Sequence, residues 1–218
     1  MIPYEDVRQE IVKMGNKIAT TGLVMGTWGN ISARIPGENL MAITPSGVDY
    51  ETIRVEDIPV LDFEGNVISG DLIPSIEWQL HLEIYKDRPD INGIIHTHST
   101  YCTAMAIARK AIPGACEDMV QIVGGDVRVA DYVLPGTSEL GKAAVKAMVD
   151  RNAVLLANHG LVGAAGTLKE AYKIVNVVEK SAQATAFAEL MGGVVPLSQE
   201  DIDAMRGFYL NTYGQRKG

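Results

Sequence analysis

The sequence predicts a single α/β domain whose largely antiparallel, mixed central sheet is flanked by helices. Three observations carry that expectation. Apolar residues recur at helical spacing in several separate stretches, and short strand-like runs bounded by Gly, Pro or Asn stand between them. No linker, internal repeat or low-complexity tract divides residues 1–218.

Taken in order, Val7, Ile11, Met14 and Ile18 form one stripe of a helix over 4–21, stopped by Gly22. The turn-rich Gly26-Thr27-Trp28-Gly29-Asn30 leads into an alternating strand at 31–34, and Leu40-Met41-Ala42-Ile43-Thr44 reads as a second. Val60-Leu61-Asp62 and Asn66-Val67-Ile68 flank Glu64-Gly65, a hairpin pattern. Ile76, Leu80 and Ile84 mark a helix over 75–87 that Pro89 ends. Residues 93–98 form a short buried strand, and Ser99 fits the N-cap of a helix through Ala108. A helix over 138–149 precedes a strand at 153–157, closed by Asn158-His159-Gly160, with 161–163 continuing it. Thr167 with Glu170 is a capping box opening a long helix to about Met191, and Ser198 with Asp201 opens the last one.

A hydrophobic share of 47% in 218 residues is enough for a sizeable core. The net charge of −8, with no Lys/Arg cluster beyond the short tail pair Arg216-Lys217, argues against a nucleic-acid surface. No apolar run is long enough to span a bilayer, and the acidic start lacks a signal pattern. Cys102 and Cys116 form no C-x-x-C pair and sit among apolar neighbours, so both read as buried free thiols. The cytoplasm is the expected compartment.

Only four histidines exist, and two stand in His96-Thr97-His98. Residues two apart in a strand share a face, so both imidazoles can reach one ion. His159 lies at another strand end, before Gly160, where a tight turn brings backbone close to a site. Three His ligands leave room for substrate, as in catalytic metal centres. An isolated H-x-H is more often a pair of core histidines than a metal site, so the surroundings must decide. His81 lies four residues after Glu77 on one helix face and reads as a packed or hydrogen-bonded helix histidine rather than a ligand.

Several blocks supply those surroundings: Gly26-Thr27-Trp28-Gly29-Asn30-Ile31-Ser32, Ile43-Thr44-Pro45-Ser46-Gly47, Ser75-Ile76-Glu77-Trp78-Gln79-Leu80-His81, Arg88-Pro89-Asp90, Ile94-Ile95-His96-Thr97-His98, Asn158-His159-Gly160-Leu161 and Thr212-Tyr213-Gly214. In this order they resemble the class II aldolase/adducin family over nearly the whole chain, most closely its L-fuculose-1-phosphate aldolase branch. The resemblance implies a mixed sheet of about nine strands with flanking helices. It also implies a homotetramer with active sites at subunit interfaces, and one divalent cation per chain on His96, His98 and His159. Zinc is the first choice for three imidazoles, with manganese or cobalt as substitutes. Glu77 matches the family's catalytic acid/base, which can also touch the metal in the empty site. Gly29, Asn30, Ser46, Gly47 and Ser75 match phosphate-binding positions. Tyr213 matches a tyrosine that reaches a neighbouring subunit's site.

The implied activity is metal-dependent cleavage of a short sugar 1-phosphate, fuculose-1-phosphate-like or deoxypentulose-1-phosphate-like. The products are dihydroxyacetone phosphate and an aldehyde, formed through a metal-stabilised enediolate. No Lys lies in the matched blocks, so nothing suggests a Schiff base. Two departures stand out. Ile76 follows Ser75 where the family usually has a second serine before the Glu, and Asp118 stands where a second tyrosine is expected, so Glu117 and Asp118 would be acids near the aldehyde end. On the same scaffold the alternatives are a sugar-phosphate 4-epimerase, whose branch usually has Asp at the position of Glu77, or a 3-oxo-acid-phosphate decarboxylase. A non-catalytic adducin-like interaction module is a further alternative.

Overall fold

The computed structural model describes residues 2–213, so Gly214 and the Arg216-Lys217 pair lie outside the described residues. Its centre is strand β1 (Asn30–Arg34), paired antiparallel with β2 (Leu40–Ile43) on one side and β5 (Gly93–Thr97) on the other. Beyond β2 lie β3 (Val60–Asp62) and β4 (Val67–Ser69), the hairpin expected around Glu64-Gly65. Beyond β5 lie β8 (Gly160–Ala165), β7 (Ala153–Leu156) and β6 (Val129–Ala130). Only the β6–β7 pair is parallel. The sheet is therefore mixed and largely antiparallel, with eight strands among the described residues rather than about nine.

Side-chain alternation along the strands feeds two cores. Ile31, Ala33, Ile95, Leu155 and Leu161 join one cluster with residues of α1 (Glu5–Thr20), α3 (Thr100–Ile107), α4 (Glu117–Val123) and α6 (Leu168–Leu190). Ile94, Val154 and Val162 turn the other way, onto α2 (Trp78–Asp87) and α5 (Ser138–Met148). Helices thus cover both faces, which is why the central strands carry near-continuous apolar runs. α7 (Gln199–Asn211) packs against α4.

Three details differ from the sequence reading. Residues 160–165 do not continue the preceding strand; they fold back as β8, antiparallel to β7, around Asn158 in left-handed conformation (φ 58°). Asn tolerates that region better than other side-chain-bearing residues, so Asn158-His159 makes the turn. Ser99 occupies the N-cap position of α3, but its hydroxyl does not cap it. Glu179 of α6 does so instead, accepting from Tyr101 N (2.8 Å), Cys102 N (2.9 Å) and Ser99 Oγ (2.7 Å). A carboxylate satisfies two orphan N–H groups and complements the helix dipole at once. Finally, Cys102 is buried but Cys116 is only half-buried, and both are free.

Candidate active site

The site forms where β1, β5 and the β7–β8 turn meet the start of α2. Asn30 is paired with His96 across β1 and β5, which puts both side chains on the α2 face of the sheet. Glu77 is the residue before α2, so its side chain enters the site from the helix start. Two glycines permit these approaches. At Gly29 (φ 90°) a Cβ would stand 2.7 Å from the carbonyl oxygen of His96, and at Gly160 it would stand 2.2 Å from that of Thr97. Any side chain at either position would push β5, and its histidines, away.

The four expected groups converge. His96 Nε2 lies 2.9 Å from His98 Nε2, 3.3 Å from His159 Nε2 and 3.4 Å from Glu77 Oε2. His159 Nε2 lies 3.5 Å from Glu77 Oε1, and all the donor atoms of the set fall within 4.8 Å of one another. Ligands about 2.0–2.1 Å from a tetrahedral cation of zinc's size stand roughly 3.3–3.4 Å apart. The edges from His96 to His159 and Glu77 match that spacing, and the His96–His98 edge is shorter. The donor chemistry agrees. His96 Nδ1–H donates to the carbonyl of Leu161 (2.9 Å), which leaves the Nε2 lone pair pointing inward. Burial lowers the pKa of His96 far below the ordinary value, with the neighbouring histidines adding to it, and burial also lowers those of His98 and His159. Neutral imidazoles are the ligand form. Glu77 is buried, and its Oε1 has no hydrogen-bond partner among the described residues.

A cleft of about 280 Å³ opens above this cluster. Gly29, Asn30, Ser46, Gly47 and Ser75, distant in sequence, all line it, together with Glu77, His98 and His159. Three of these phosphate-binding candidates have commitments within the protein. Asn30 Nδ2 donates to Glu77 Oε2 (2.8 Å), the N–H of Ser46 donates to Ile73 O (2.9 Å), and Ser75 Oγ accepts from Glu77 N (3.3 Å). The second Nδ2 hydrogen of Asn30 and the hydroxyl hydrogens of both serines are not used in these bonds.

Other expected residues stand apart. Tyr213 is exposed after the end of α7, stacked on Tyr209 with ring centroids 5.4 Å apart, and does not line the cleft of its own chain. Asp118, in the first turn of α4, pairs with Lys180 of α6 and does not line the cleft either, nor does Glu117. Glu117 and Asp118 thus stand outside the cleft of their own chain. α4 is only a two-turn helix, too short for apolar periodicity to announce, so its neighbours in space were not predictable. His81 is fully buried and hydrogen-bonded, as expected, with Nδ1 2.6 Å from Ser32 Oγ and Nε2 2.5 Å from Asn30 Oδ1. Sequence reasoning did not single out Trp28, whose ring lies 5.8 Å from that of His98 and lines the cleft, although it sits inside the Gly26–Asn30 block.

Three histidines and a carboxylate at a hydroxyl-rimmed cleft of a mixed sheet form a group whose donor atoms could hold a metal ion. Comparison with known proteins makes this specific. Residues 9–186 match the family model described as Class II Aldolase and Adducin N-terminal domain. The chain belongs to that family. It is 38% identical over 209 residues to a 5-deoxy-D-ribulose 1-phosphate aldolase of Bacillus thuringiensis serovar kurstaki, covering 96% of this chain and 97% of that one. It is 35% identical over 210 residues to the L-fuculose phosphate aldolase of Escherichia coli K12, covering 95% of each. Among solved structures, an L-fuculose 1-phosphate aldolase superposes with a TM-score of 0.92 at 44% identity, over 96% of this chain and 98% of that chain.

Proposed function

We propose that this protein, a single catalytic domain, cleaves a short sugar 1-phosphate into dihydroxyacetone phosphate and an aldehyde with the help of a divalent cation. The observation that carries the reading is the convergence of Glu77, His96, His98 and His159 directly beneath the five phosphate-position residues in one cleft. The relatives named above are aldolases named for sugar phosphates, a 1-phosphate in the Bacillus thuringiensis protein and the solved structure, which supports the same class of substrate here.

His96, His98 and His159 hold the ion, zinc by preference for an all-imidazole set, with manganese or cobalt able to replace it. When bound, such an ion acts as a Lewis acid on the oxygens that carry charge when the carbon–carbon bond breaks. The protein's own groups supply the rest. Ser46 and Ser75 hydroxyls, the free Asn30 amide hydrogen and the backbone at Gly29 and Gly47 bind the phosphate, fixing the substrate's far end. Glu77 moves the proton at the dihydroxyacetone-phosphate carbon, within reach of anything seated over the histidines. Tyr213 acts in a neighbouring subunit's cleft, within the homotetramer with interfacial sites that the family resemblance implies. No described helix is long and apolar enough to cross a membrane, and the protein works in the cytoplasm on a small diffusible substrate.

Trp28 and Ile76, both exposed at the cleft, favour an aldehyde half with an apolar end. A relative from Rhodospirillum rubrum, 39% identical over 178 residues, is named for 5-methylthioribulose-1-phosphate and 5-deoxyribulose-1-phosphate. It supports a deoxypentulose-type substrate, with fuculose 1-phosphate, whose aldehyde half also ends in a methyl group, as the alternative that the 44%-identical structure supports. The test incubates purified protein with dihydroxyacetone phosphate and a panel of aldehydes, with product stereochemistry read out. Condensation that disappears with a chelator and returns with zinc is expected. An epimerised pentulose phosphate or carbon dioxide from an oxo-acid phosphate, with no condensation, would overturn the assignment.

A further inference from the structure

Glu77, His81 and Tyr85 stand four residues apart along α2, and Asn30 and Ser32 stand two apart along β1. Four helical residues rise about 6 Å and two strand residues about 6.6 Å, so one stripe of the helix meets one face of the strand rung by rung. The result is a continuous hydrogen-bonded chain. Tyr85 OH lies 2.9 Å from Ser32 Oγ, Ser32 Oγ 2.6 Å from His81 Nδ1, His81 Nε2 2.5 Å from Asn30 Oδ1, and Asn30 Nδ2 2.8 Å from Glu77 Oε2. Ser32 and His81 are fully buried, and Asn30 and Tyr85 keep 3% and 1% exposure.

We propose that this buried chain fixes the orientation of the Glu77 carboxylate, with His81 as the positioning residue whose tautomer decides which way every bond in it points. The proposal rests on reading Glu77 as the proton-transfer group.

Taken singly, the bonds at Ser32 and His81 could run in either direction. Tyr85 removes the choice. Its hydroxyl is packed in the apolar cluster beneath α2, and Ser32 is its one hydrogen-bond partner among the described residues. Burial raises its pKa well above the ordinary value, so the O–H is retained. Unless that proton goes to Ser32 Oγ it is left unpaired, and a buried polar group is rarely left so. Ser32 must then donate its own O–H to His81 Nδ1. An imidazole that accepts at Nδ1 and is neutral carries its hydrogen on Nε2. Burial keeps His81 neutral, its pKa pushed down to about 3. Nε2–H therefore donates to Asn30 Oδ1, and the amide is locked with its NH₂ toward Glu77. The opposite polarity would strand the tyrosine proton and turn a carbonyl oxygen onto the carboxylate.

One oxygen of Glu77 is thereby distinguished from the other. Oε2 is held by Asn30, while Oε1 is buried without a hydrogen-bond partner among the described residues. Oε1 is the oxygen that takes and returns the substrate proton. No proton travels along the chain; it acts by position alone.

The test uses metal-loaded protein labelled with ¹⁵N-histidine. Four histidines give few resonances, and His81 is assigned by its loss in His81→Gln. A neutral Nε2–H ring with an accepting Nδ1 is expected, and an Nδ1–H ring would overturn the proposal. A second arm measures kcat, KM and exchange of the dihydroxyacetone-phosphate proton with solvent. His81→Asn cannot reach Asn30 with a donor, and should lower kcat and exchange about 10–100-fold, the range for groups that orient a site's ligands, with little change in KM. His81→Gln carries an amide N–H to that position and should recover most of the loss. Ser32→Ala, the smaller change, should move exchange in the same direction if His81→Asn fails to fold. Wild-type exchange in these variants, with only thermal stability reduced, would leave His81 a packing residue and end the proposal. Undiminished exchange in Glu77→Gln would instead refute the role of Glu77, whatever the tautomer.

Discussion

Ile95 and His96 are neighbours in β5, both fully buried, yet they face different worlds. Ile95 points into the apolar cluster under α1, α3 and α6, where the partners along β1 are Ile31 and Ala33. His96 points to the α2 side, where β1 presents Asn30 and Ser32. On the first face burial of carbon alone stabilises the fold. On the second, each buried polar group is an expense in stability, offset only when it is hydrogen-bonded. The two-residue repeat of a strand thus lets one chain segment hold the protein together on one side and do chemistry on the other.

The sharpest way to break that contrast is to truncate the two neighbours separately. His96→Ala removes the proposed ligand whose Nε2 lies 2.9 Å and 3.3 Å from those of His98 and His159. Loss of bound zinc, measured by metal analysis, and loss of detectable aldol condensation are expected while circular dichroism stays that of a folded protein. Full activity in a metal-free, chelator-treated sample would refute the metal-dependent reading.

Next in size is Glu77→Gln. The amide keeps shape and hydrogen bonding but cannot take a proton. Turnover should fall by about 10²–10⁴, the usual range for a general acid/base, and solvent exchange of the dihydroxyacetone-phosphate proton should fall equally. Exchange at the wild-type rate would assign the proton to another group.

Ile95→Ala tests the other face. Truncating a fully buried isoleucine costs about 2–5 kcal/mol. Denaturant unfolding should show that loss, while kcat and metal content at low denaturant remain near wild type. A large fall in kcat without loss of stability would mean that the two faces are not separable.

Much of this was legible in the sequence, for physical reasons that differ by element. α1, α2, α5 and α6 announce themselves by apolar stripes, and Thr167 and Ser198 cap as read, their hydroxyls accepting from the N–H groups of Glu170 and Asp201. The two carboxylates, however, accept from the cap hydroxyls rather than from the cap backbone N–H of a full capping box. The two-residue spacing of His96, on β5, and His98, one residue past its end, brings both imidazoles into one cluster, as the sequence suggests. β6 has two residues and α4 seven, too few for a period to show. The cap on α3 comes from Glu179, eighty residues from Ser99, and no local pattern encodes that. The chain from Tyr85 to Glu77 was half visible: the four-residue spacing of Glu77 and His81 lay in plain sight, but its partners on β1 required the tertiary structure. The role proposed for Tyr213 depends on a second subunit, which no property of one chain displays.

The smallest expected effect is at Ile76, which is 63% exposed at the cleft beside Ser75, where the resembling family usually places a hydroxyl. A hydroxyl donating to a phosphate oxygen contributes about 1.5–3 kcal/mol at most, and a neutral hydrogen bond about 0.5–1.5 kcal/mol. The hydroxyls of Ser46 and Ser75 and the Asn30 amide hydrogen remain, so a missing donor weakens phosphate binding without abolishing it. Apolar surface at the mouth of a site otherwise rimmed with hydroxyls also suits an aldehyde ending in a methyl or methylthio group. Ile76→Ser separates the two effects. A missing-donor role lowers KM for dihydroxyacetone phosphate several-fold and leaves the order of aldehyde preference intact. A specificity role leaves that KM unchanged and shifts kcat/KM from apolar toward hydroxylated aldehydes. The exposed position of Ile76, together with Trp28 on the same cleft, favours the second outcome. Unchanged preference across the panel would return Ile76 to the phosphate end and take away the physical basis for a deoxy substrate.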